Sequence, residues 1–552
     1  MMGERVTSKF EEKIKKRNIK RLRKKRRHEK LSSAKRNLER KDTFKYVLLA
    51  EGLIIGICTG FLIALFRVTL EKGDNLRELF IQYASNGGLR MVLFFLSLVI
   101  ITIILTHIVK KEPFSTGSGI PQVEGELKGQ IETKWYSIII SKFVGGALSI
   151  GGGLALGREG PSIQLGAMVG KGFARTTGKL LTEERMLMSC GAGAGLAAAF
   201  GAPLAGVIFS LEELHKNFST EVLLTTMAAT VSSDFIVRNL LGLEPIFDFN
   251  IIEFLPLSQY WMVIVLGVIL GAFGVLYNNT INYMQNALDK IPFRFGKIGI
   301  AFVCVGILAF TYPIILGSGH GLVGEVAKGE MTLIFIVILL LGKFLFSTLS
   351  FSSGVPGGIF LPLLVLGALA GGTFGKVMSL TVGIDTSLIV SFVILGMTGY
   401  FAAIVRAPIT GVILITEMTG DFRSLLALSI VALVAYTVAD LLGGVPVYEQ
   451  LLHKLLKDSA TDKVDNPVKK RKVIFETEIY YGSFMDGEKV VSLDLPKGSL
   501  IVSVERDGKE LVPYGQTILY GGDKLSILCN NNDIIDAEEV LLENCKTIYP
   551  ED

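Results

Sequence analysis

Long apolar runs broken by glycine and proline dominate the chain from about residue 46 to 455. One of them, YSIIISKFVGGALSIGGGLAL at 136–156, holds a single charge in 21 residues. A helix that crosses a bilayer needs about 20 mostly apolar residues. That requirement is met at 46–68, 91–109, 136–156, 260–276, 297–316, 331–350 and 424–442. Apolar stretches near 158–175, 189–211, 358–380 and 386–416 are interrupted by Gly and Pro. The pattern predicts an all-α polytopic membrane domain with interrupted helices. Beyond about 472 the period changes. VIFETEIYY, LIVSVER, KELVP and KLSILC read as short strands, with Asp507-Gly508 between two of them as a tight hairpin turn. A small, β-rich α+β domain is expected there.

The membrane part repeats itself. GSGIP at 117–121 recurs as GSGHG at 317–321, and SKFVGGALS at 141–149 as GKFLFSTLS at 342–350. GREGPSIQLGAMVG at 157–170 aligns with GIFLPLLVLGALAG at 358–371, and GAPLAGVIFSLEE at 201–213 with RAPITGVILITEM at 406–418. The offsets are 200, 201, 201 and 205. Ordered matches at nearly constant spacing mark a duplication, here about 46–245 and 250–455. Duplicated hydropathy of this kind belongs to transporter folds, whose halves often lie inverted and bind their substrate where they meet.

Charge divides the chain further. Residues 1–45 hold 19 Lys/Arg against 6 Asp/Glu, a net of +13 within a chain total of +5, so the remainder carries −8. The expected organisation is a basic tail at 1–45, a transport domain at 46–455, a linker at 456–472 and the β-rich domain at 473–552. So charged a start does not read as a secretory signal. The basic run KKRNIKRLRKKRRHEK has a composition that also suits nucleic acid. Preceding a membrane domain, it reads instead as a cytoplasmic tail that faces anionic lipid. Lys110-Lys111 falls on the same side if two spans separate it from the tail, and the positive-inside tendency makes that side cytoplasmic. Both termini are expected there, with the protein in the cell membrane. The five cysteines are scattered without a CxxC pair, and the histidines form no HExxH. Neither a metal site, a cofactor nor a disulfide framework is expected. With no GxSxG and no Cys/His constellation, an intramembrane hydrolase is set aside, so the chain does not read as an enzyme.

The candidate chemistry lies in the Gly/Pro interruptions. GSGIP contains Gly117, Gly119 and Pro121; GREGP contains Gly157, Gly160 and Pro161; GGIFLP contains Gly358 and Pro362. Proline suits the first turn of a helix, and glycine lets backbone approach a ligand closely. Each motif therefore puts a helix start inside the membrane. The free N–H groups and positive dipole end of such a start attract an anion. Convergent starts would form an anion site from neutral donors, which releases its ion faster than a full Lys or Arg contact. Glu159 sits at one such start, next to Arg158. Its carboxylate can occupy the anion's place when ionised and leave when protonated. The alternative is an internal Arg158–Glu159 ion pair, and Arg158 reads as structural support rather than a direct ligand. Glu212-Glu213 ends an apolar run and admits plain solvation as well as a functional role.

These motifs resemble the chloride-channel (CLC) superfamily of chloride channels and chloride/proton exchangers. GSGIP, GREGP and GGIFLP occur in that family's order and spacing, and a PVY follows near the end of the membrane domain. The resemblance implies the inverted-repeat CLC fold and a homodimer with a separate pore in each subunit. It implies that the Ser118 hydroxyl, the Tyr448 hydroxyl and the backbone N–H groups of Ile359 and Phe360 bind chloride. It casts Glu159 as the gating and proton glutamate and Glu213 as the inner proton-transfer glutamate that exchangers tend to have. Ser118, where some members have proline, favours chloride over nitrate, and Ser118, GREGP and Tyr448 together argue against the fluoride exporters. Chloride/proton exchange is the leading expectation, with a passive voltage- or pH-gated chloride channel as the alternative. The segment RDGKELVP followed by GQTILYGGDKLSILC resembles the RCK_C, or TrkA-C-like, domain of potassium-transport regulators. That likeness implies dimerisation and a small cytoplasmic regulatory ligand such as a cyclic dinucleotide. A potassium-handling role is disfavoured, since no TVGYG-type filter is present.

Overall fold

The computed structural model describes residues 46–461, 472–530 and 544–545, apart from 86, 217–219, 243–246, 248, 250–254, 494, 496–497 and 507–508. The basic tail, most of the expected linker and the Asp507-Gly508 turn lie outside the described residues.

The first half of the membrane domain runs α1 (Tyr46–Ser85), α2 (Gly88–Lys111), α3 (Ile120–Leu127), α4 (Trp135–Gly151), α5 (Glu159–Thr176), α6 (Leu181–Phe200), α7 (Pro203–Phe209) and α8 (Thr220–Leu241). The second half runs α9 (Tyr260–Asp289), α10 (Arg294–Thr311), α11 (His320–Ala327), α12 (Leu333–Ser352), α13 (Phe360–Thr381), α14 (Ile389–Val405), α15 (Pro408–Thr419) and α16 (Leu425–Leu441). Helix α17 (Val447–Thr461) closes it and continues through the first residues of the expected linker. Among the described residues, eight helices are long and apolar enough to cross a membrane. One of them, α8, escapes the hydropathy reading because Glu221, Asp234 and Arg238 dilute it. Helix α1 outruns the expected 46–68 because its polar second half, with Glu71, Asp74 and Asn75, lines a cavity instead of facing lipid.

The repeat is visible element by element. Helix α3 matches α11, α5 matches α13 and α7 matches α15, each pair starting at the sequence offset already noted. Even the short 3-10 turns at Pro113–Ser115 and Pro313–Ile315 correspond. The halves meet through their own equivalents: Gly157 N–H donates to Gly358 O at 2.6 Å, and Gly358 N–H donates to Gly157 O at 2.8 Å. A reciprocal bond between mates places the two-fold relation at this point. Helix pairs inside each half approach closely through glycine. A Cβ on Gly166 would lie 2.0 Å from Gly191 O, and one on Gly367 would lie 2.5 Å from Gly396 O. Small residues give such contact where lipid, and not water, surrounds the bundle. Every residue of α14 is buried, as expected for a helix that is apolar all round.

The C-terminal domain is a four-stranded antiparallel sheet of β1 (Lys472–Glu478), β2 (Leu500–Arg506), β3 (Lys509–Leu511) and β4 (Lys524–Asn530), in the order β1-β4-β2-β3. The register Arg506↔Lys509 leaves two residues between the paired ends. Ile501, Val504, Leu525 and Ile527 form its own small core with Ile479.

Candidate functional site

The site grows from four helix starts. Gly119 caps α3 in a left-handed conformation at φ 94°, which a side chain would strain, and a Cβ there would also strike Gln164 at 2.5 Å. Pro121 occupies the first turn of α3, Pro161 that of α5 and Pro362 that of α13. The loop before α3 is held by Lys142 of α4, which is fully buried. Its ammonium donates to Ser115 O at 3.0 Å and Gly117 O at 2.7 Å. Among the described residues no carboxylate pairs with it. The carbonyls absorb its charge and so fix the segment that presents Ser118.

Ser118 is 2% exposed, and its Oγ accepts from Ile120 N–H at 3.4 Å. A Cβ on Gly160 would sit 2.7 Å from both the Ser118 oxygen atoms and 3.2 Å from Gly358 Cα. The starts of α3, α5 and α13 therefore touch, and the absent side chain at Gly160 is what permits it. Ile359 caps α13 and Phe360 opens it, its ring packed on Phe200 at 5.2 Å and Phe401 at 4.7 Å between centroids. Tyr448, in the first turn of α17, is wholly buried, and its hydroxyl has no hydrogen-bond partner among the described residues.

Glu159 is 0% exposed. Its Oε2 accepts the Leu361 N–H of α13 at 3.3 Å, across 202 residues of chain. A carboxylate thus sits on free amides at the start of a helix from the opposite repeat, where an anion is favoured. Its Oε1 has no hydrogen-bond partner among the described residues, and Arg158 Nε stands 3.9 Å away. That is an attraction and not a hydrogen bond, so nothing clamps the carboxylate to the arginine. The Arg158 side chain is 23% exposed and faces a cavity of about 960 Å³ that Arg67, Asp74, Asp234 and Arg238 also line. A second cavity, of about 170 Å³, reaches Thr116, Gly117 and Ser118. Ser118 lines this smaller cavity, while Arg158 and Leu361, the neighbours of Glu159, line the larger one.

Glu213 lies in a wider π-helical turn, Ser210–His215, that continues α7. Such turns inside α-helices recur at functional sites. Here the turn buries Glu213 to 6% exposure, which excludes plain solvation. The charges around it are Glu124, Lys216, Glu212 and Glu449. Tyr448 is within electrostatic reach of both Glu213 and Glu159.

The neighbouring Glu212 does something else. Its carboxylate accepts Thr410 N–H at 2.7 Å and Thr410 O–H at 2.6 Å, and so caps α15. Its repeat mate Glu417 accepts Leu204 N–H at 3.1 Å and Ala205 N–H at 2.8 Å, and so caps α7. Each half supplies the cap for the other's helix.

The structure places Gly117, Ser118, Gly119, Pro121, Gly157, Glu159, Gly160, Pro161, Gly358, Ile359, Phe360 and Pro362 at or just before the starts of α3, α5 and α13. Residue-level reasoning missed Leu361, whose amide is the one that meets Glu159. It also missed Lys142, although the lysine repeated at 343 in GKFLFSTLS was a usable signal.

Helix starts from two inverted halves, meeting at Gly157 and Gly358 within a bundle of apolar helices, are the architecture of a multi-pass membrane transporter. Residues 99–440 match the voltage gated chloride channel family, and the chain belongs to it. Residues 474–542 match the TrkA-C domain. The chain is 33% identical over 440 residues to the H(+)/Cl(-) exchange transporter ClcA of Vibrio parahaemolyticus, covering 76% of this chain and 92% of that protein. Its fold is similar to that of a slow cyanobacterial Cl-/H+ antiporter, with a TM-score of 0.71, 30% identity and coverage of 74% and 98%. A CLC-type fluoride/proton antiporter shares the fold at a TM-score of 0.61 and 24% identity, with coverage of 73% and 97%.

Proposed function

We propose that this protein exchanges chloride for protons across the cell membrane. The observation that carries the reading is the fully buried Glu159 carboxylate on the Leu361 amide. An anion-binding helix start that is filled by an ionisable side chain couples proton and anion by competition. When Glu159 is ionised it holds the site; when protonated it loses its charge-assisted bond to the amide, swings out and admits chloride. Chloride then binds to the Ser118 and Tyr448 hydroxyls and to the amides of Ile359, Phe360 and Leu361. All are neutral donors, so release stays fast. Glu213 hands protons between Glu159 and the side of the Ser118 cavity, which we assign to the cytoplasm with both termini. Its burial supports the role, because loss of water and then the nearby Glu124 charge, against the opposing Lys216, favour a carboxyl that carries a proton. Arg158 supports from beside the path. Likeness to the exchangers above adds weight to chloride and protons as the transported pair, and the family's homodimer is the assembly we assign.

The C-terminal domain reads as a regulator that pairs with its copy and responds to a small cytoplasmic ligand. A cyclic dinucleotide is the probe to try first, by calorimetry on the full-length protein. The tail at 1–45 reads as a contact for anionic lipid. The test of the main reading is proton movement in liposomes that hold the purified protein, with a chloride gradient imposed and voltage set by a potassium ionophore. Uphill protons establish exchange. Chloride flux without protons makes the protein a channel and leaves Glu213 without that task.

A further inference from the structure

The smaller cavity has a charged rim that exchange, as described, does not use. Asp289 ends α9 and lines this cavity together with Ser118, Gln285 and Lys454. Two ammonium groups hold its carboxylate: Lys454 of α17 at 2.7 Å and Lys297 of α10 at 2.8 Å. The side chains are partly open to solvent, at 49% for Asp289, 26% for Lys454 and 22% for Lys297. Lys454 Nζ also lies 3.4 Å from Asn286 Oδ1. Of the three, Asp289 and Lys454 line the cavity and Lys297 reaches Asp289 from α10; together they carry a single net positive charge.

The placement of Lys454 gives this cluster a bearing on transport. It lies six residues after Tyr448 on one helix, about 9 Å along the axis at the usual rise per residue. An anion moving from solvent to Ser118 enters through a cavity with that lysine in its wall. A full charge at the wall raises the local concentration of a small anion, whereas a charge in the ion's first shell would slow its release. Asp289 takes the two cations out of direct contact with a passing ion and leaves a residual field.

We propose that Asp289 sets the apparent anion affinity of this mouth, by neutralising one of the two charges that its partners Lys454 and Lys297 carry. Asp289 is a positioning residue: it acts on the anion through the lysines. The proposal rests on the reading that anions pass through the Ser118 cavity. Replacing Asp289 by Asn raises the rim to two positive charges. Replacing Lys454 by Gln lowers it to zero, and the two changes together restore the single charge.

The test is initial chloride uptake by full-length protein in liposomes, against chloride concentration, at low ionic strength and near 1 M of an impermeant salt. For one charge about 10 Å from the ion in a water-filled mouth, Asp289→Asn lowers KM by about twofold at low salt and leaves the maximal rate unchanged. Lys454→Gln raises KM by a similar factor, and the double variant returns to the wild-type value. All differences collapse near 1 M, where the screening length is about 3 Å. Asp289→Glu, which keeps the charge, keeps the wild-type KM. A change in maximal rate that persists at high salt, or a KM that ignores both substitutions, overturns the proposal and leaves the cluster as a brace between helices. If Asp289→Asn does not fold, the rise in KM for Lys454→Gln decides alone. Wild-type protein that moves no chloride would instead sink the transport reading itself.

Discussion

The two halves of the membrane domain share a skeleton and divide the chemistry. Lys142 and Lys343 are mates, both wholly buried, and each cages the loop ahead of a short helix. Lys142 holds Ser115 and Gly117, while Lys343 donates to Ile315 O at 2.9 Å and Gly317 O at 2.7 Å. Ser118 faces the small cavity and its mate Ser318 the large one. Glu212 and Glu417 exchange caps across the interface. The symmetry then fails at both of the acids assigned to proton movement. Where the first half has Glu159, the second has Phe360; where the first has Glu213, the second has Met418. Both acids assigned to proton movement lie in one half, and the second half supplies the Leu361 amide that receives the first half's carboxylate. A duplicated scaffold can hold an ion symmetrically. Coupling that ion to a proton needs a group that titrates, and one copy of it is enough.

The largest expected effect comes from erasing the first asymmetry. Glu159→Gln should pass chloride while proton movement driven by a chloride gradient falls about a hundredfold or more, the scale of a lost acid–base group. Uphill protons in this variant would end the assignment. Next is Glu213→Gln, which moves that position towards its neutral mate. It should retain chloride flux and lose proton flux by about tenfold or more, again read as protons against a chloride gradient.

The conserved skeleton gives smaller effects. Lys142→Met removes three charge-assisted bonds and Lys343→Met two, each a cost of about 3 kcal/mol or more, visible as a loss of monodisperse protein on heating in detergent. Only Lys142→Met should also change chloride affinity, since its loop presents Ser118; equal changes in both would break the contrast. Smallest are Glu212→Ala and Glu417→Ala, each a lost cap worth about 1 kcal/mol. They should shift thermal stability alike, and a clear inequality would show that one half leans on the exchange more than the other.

Much of this arrangement was legible beforehand because it is local. Gly119 before Ile120-Pro121, Arg158 before Glu159-Gly160-Pro161 and Ile359 before Phe360-Leu361-Pro362 each encode a helix start within a few residues. Helix α8 was not legible, since Asp234 and Arg238 pair with each other at 2.6 Å and satisfy in the fold the charges that hide it from hydropathy. The role of Glu212 was hidden for a similar reason: its partners lie 198 residues away. No pattern near Glu212 distinguishes a cap for α15 from a solvated helix end. Glu213, one residue on, turned inward because the chain there widens into a π turn.

By itself the sequence determined the apolar spans, the duplication, the interrupted helix starts and the presence of a buried acid at one of them. These follow from side-chain hydropathy, from proline's fixed φ and from glycine's freedom, all properties of short segments. Only the tertiary structure decided that Glu159 meets the amide of Leu361, that Lys142 spends its charge on the carbonyls before Ser118, and that each half caps the other. Those are contacts between groups tens to hundreds of residues apart, and a buried charge or amide takes whichever partner the packing of two halves brings within reach.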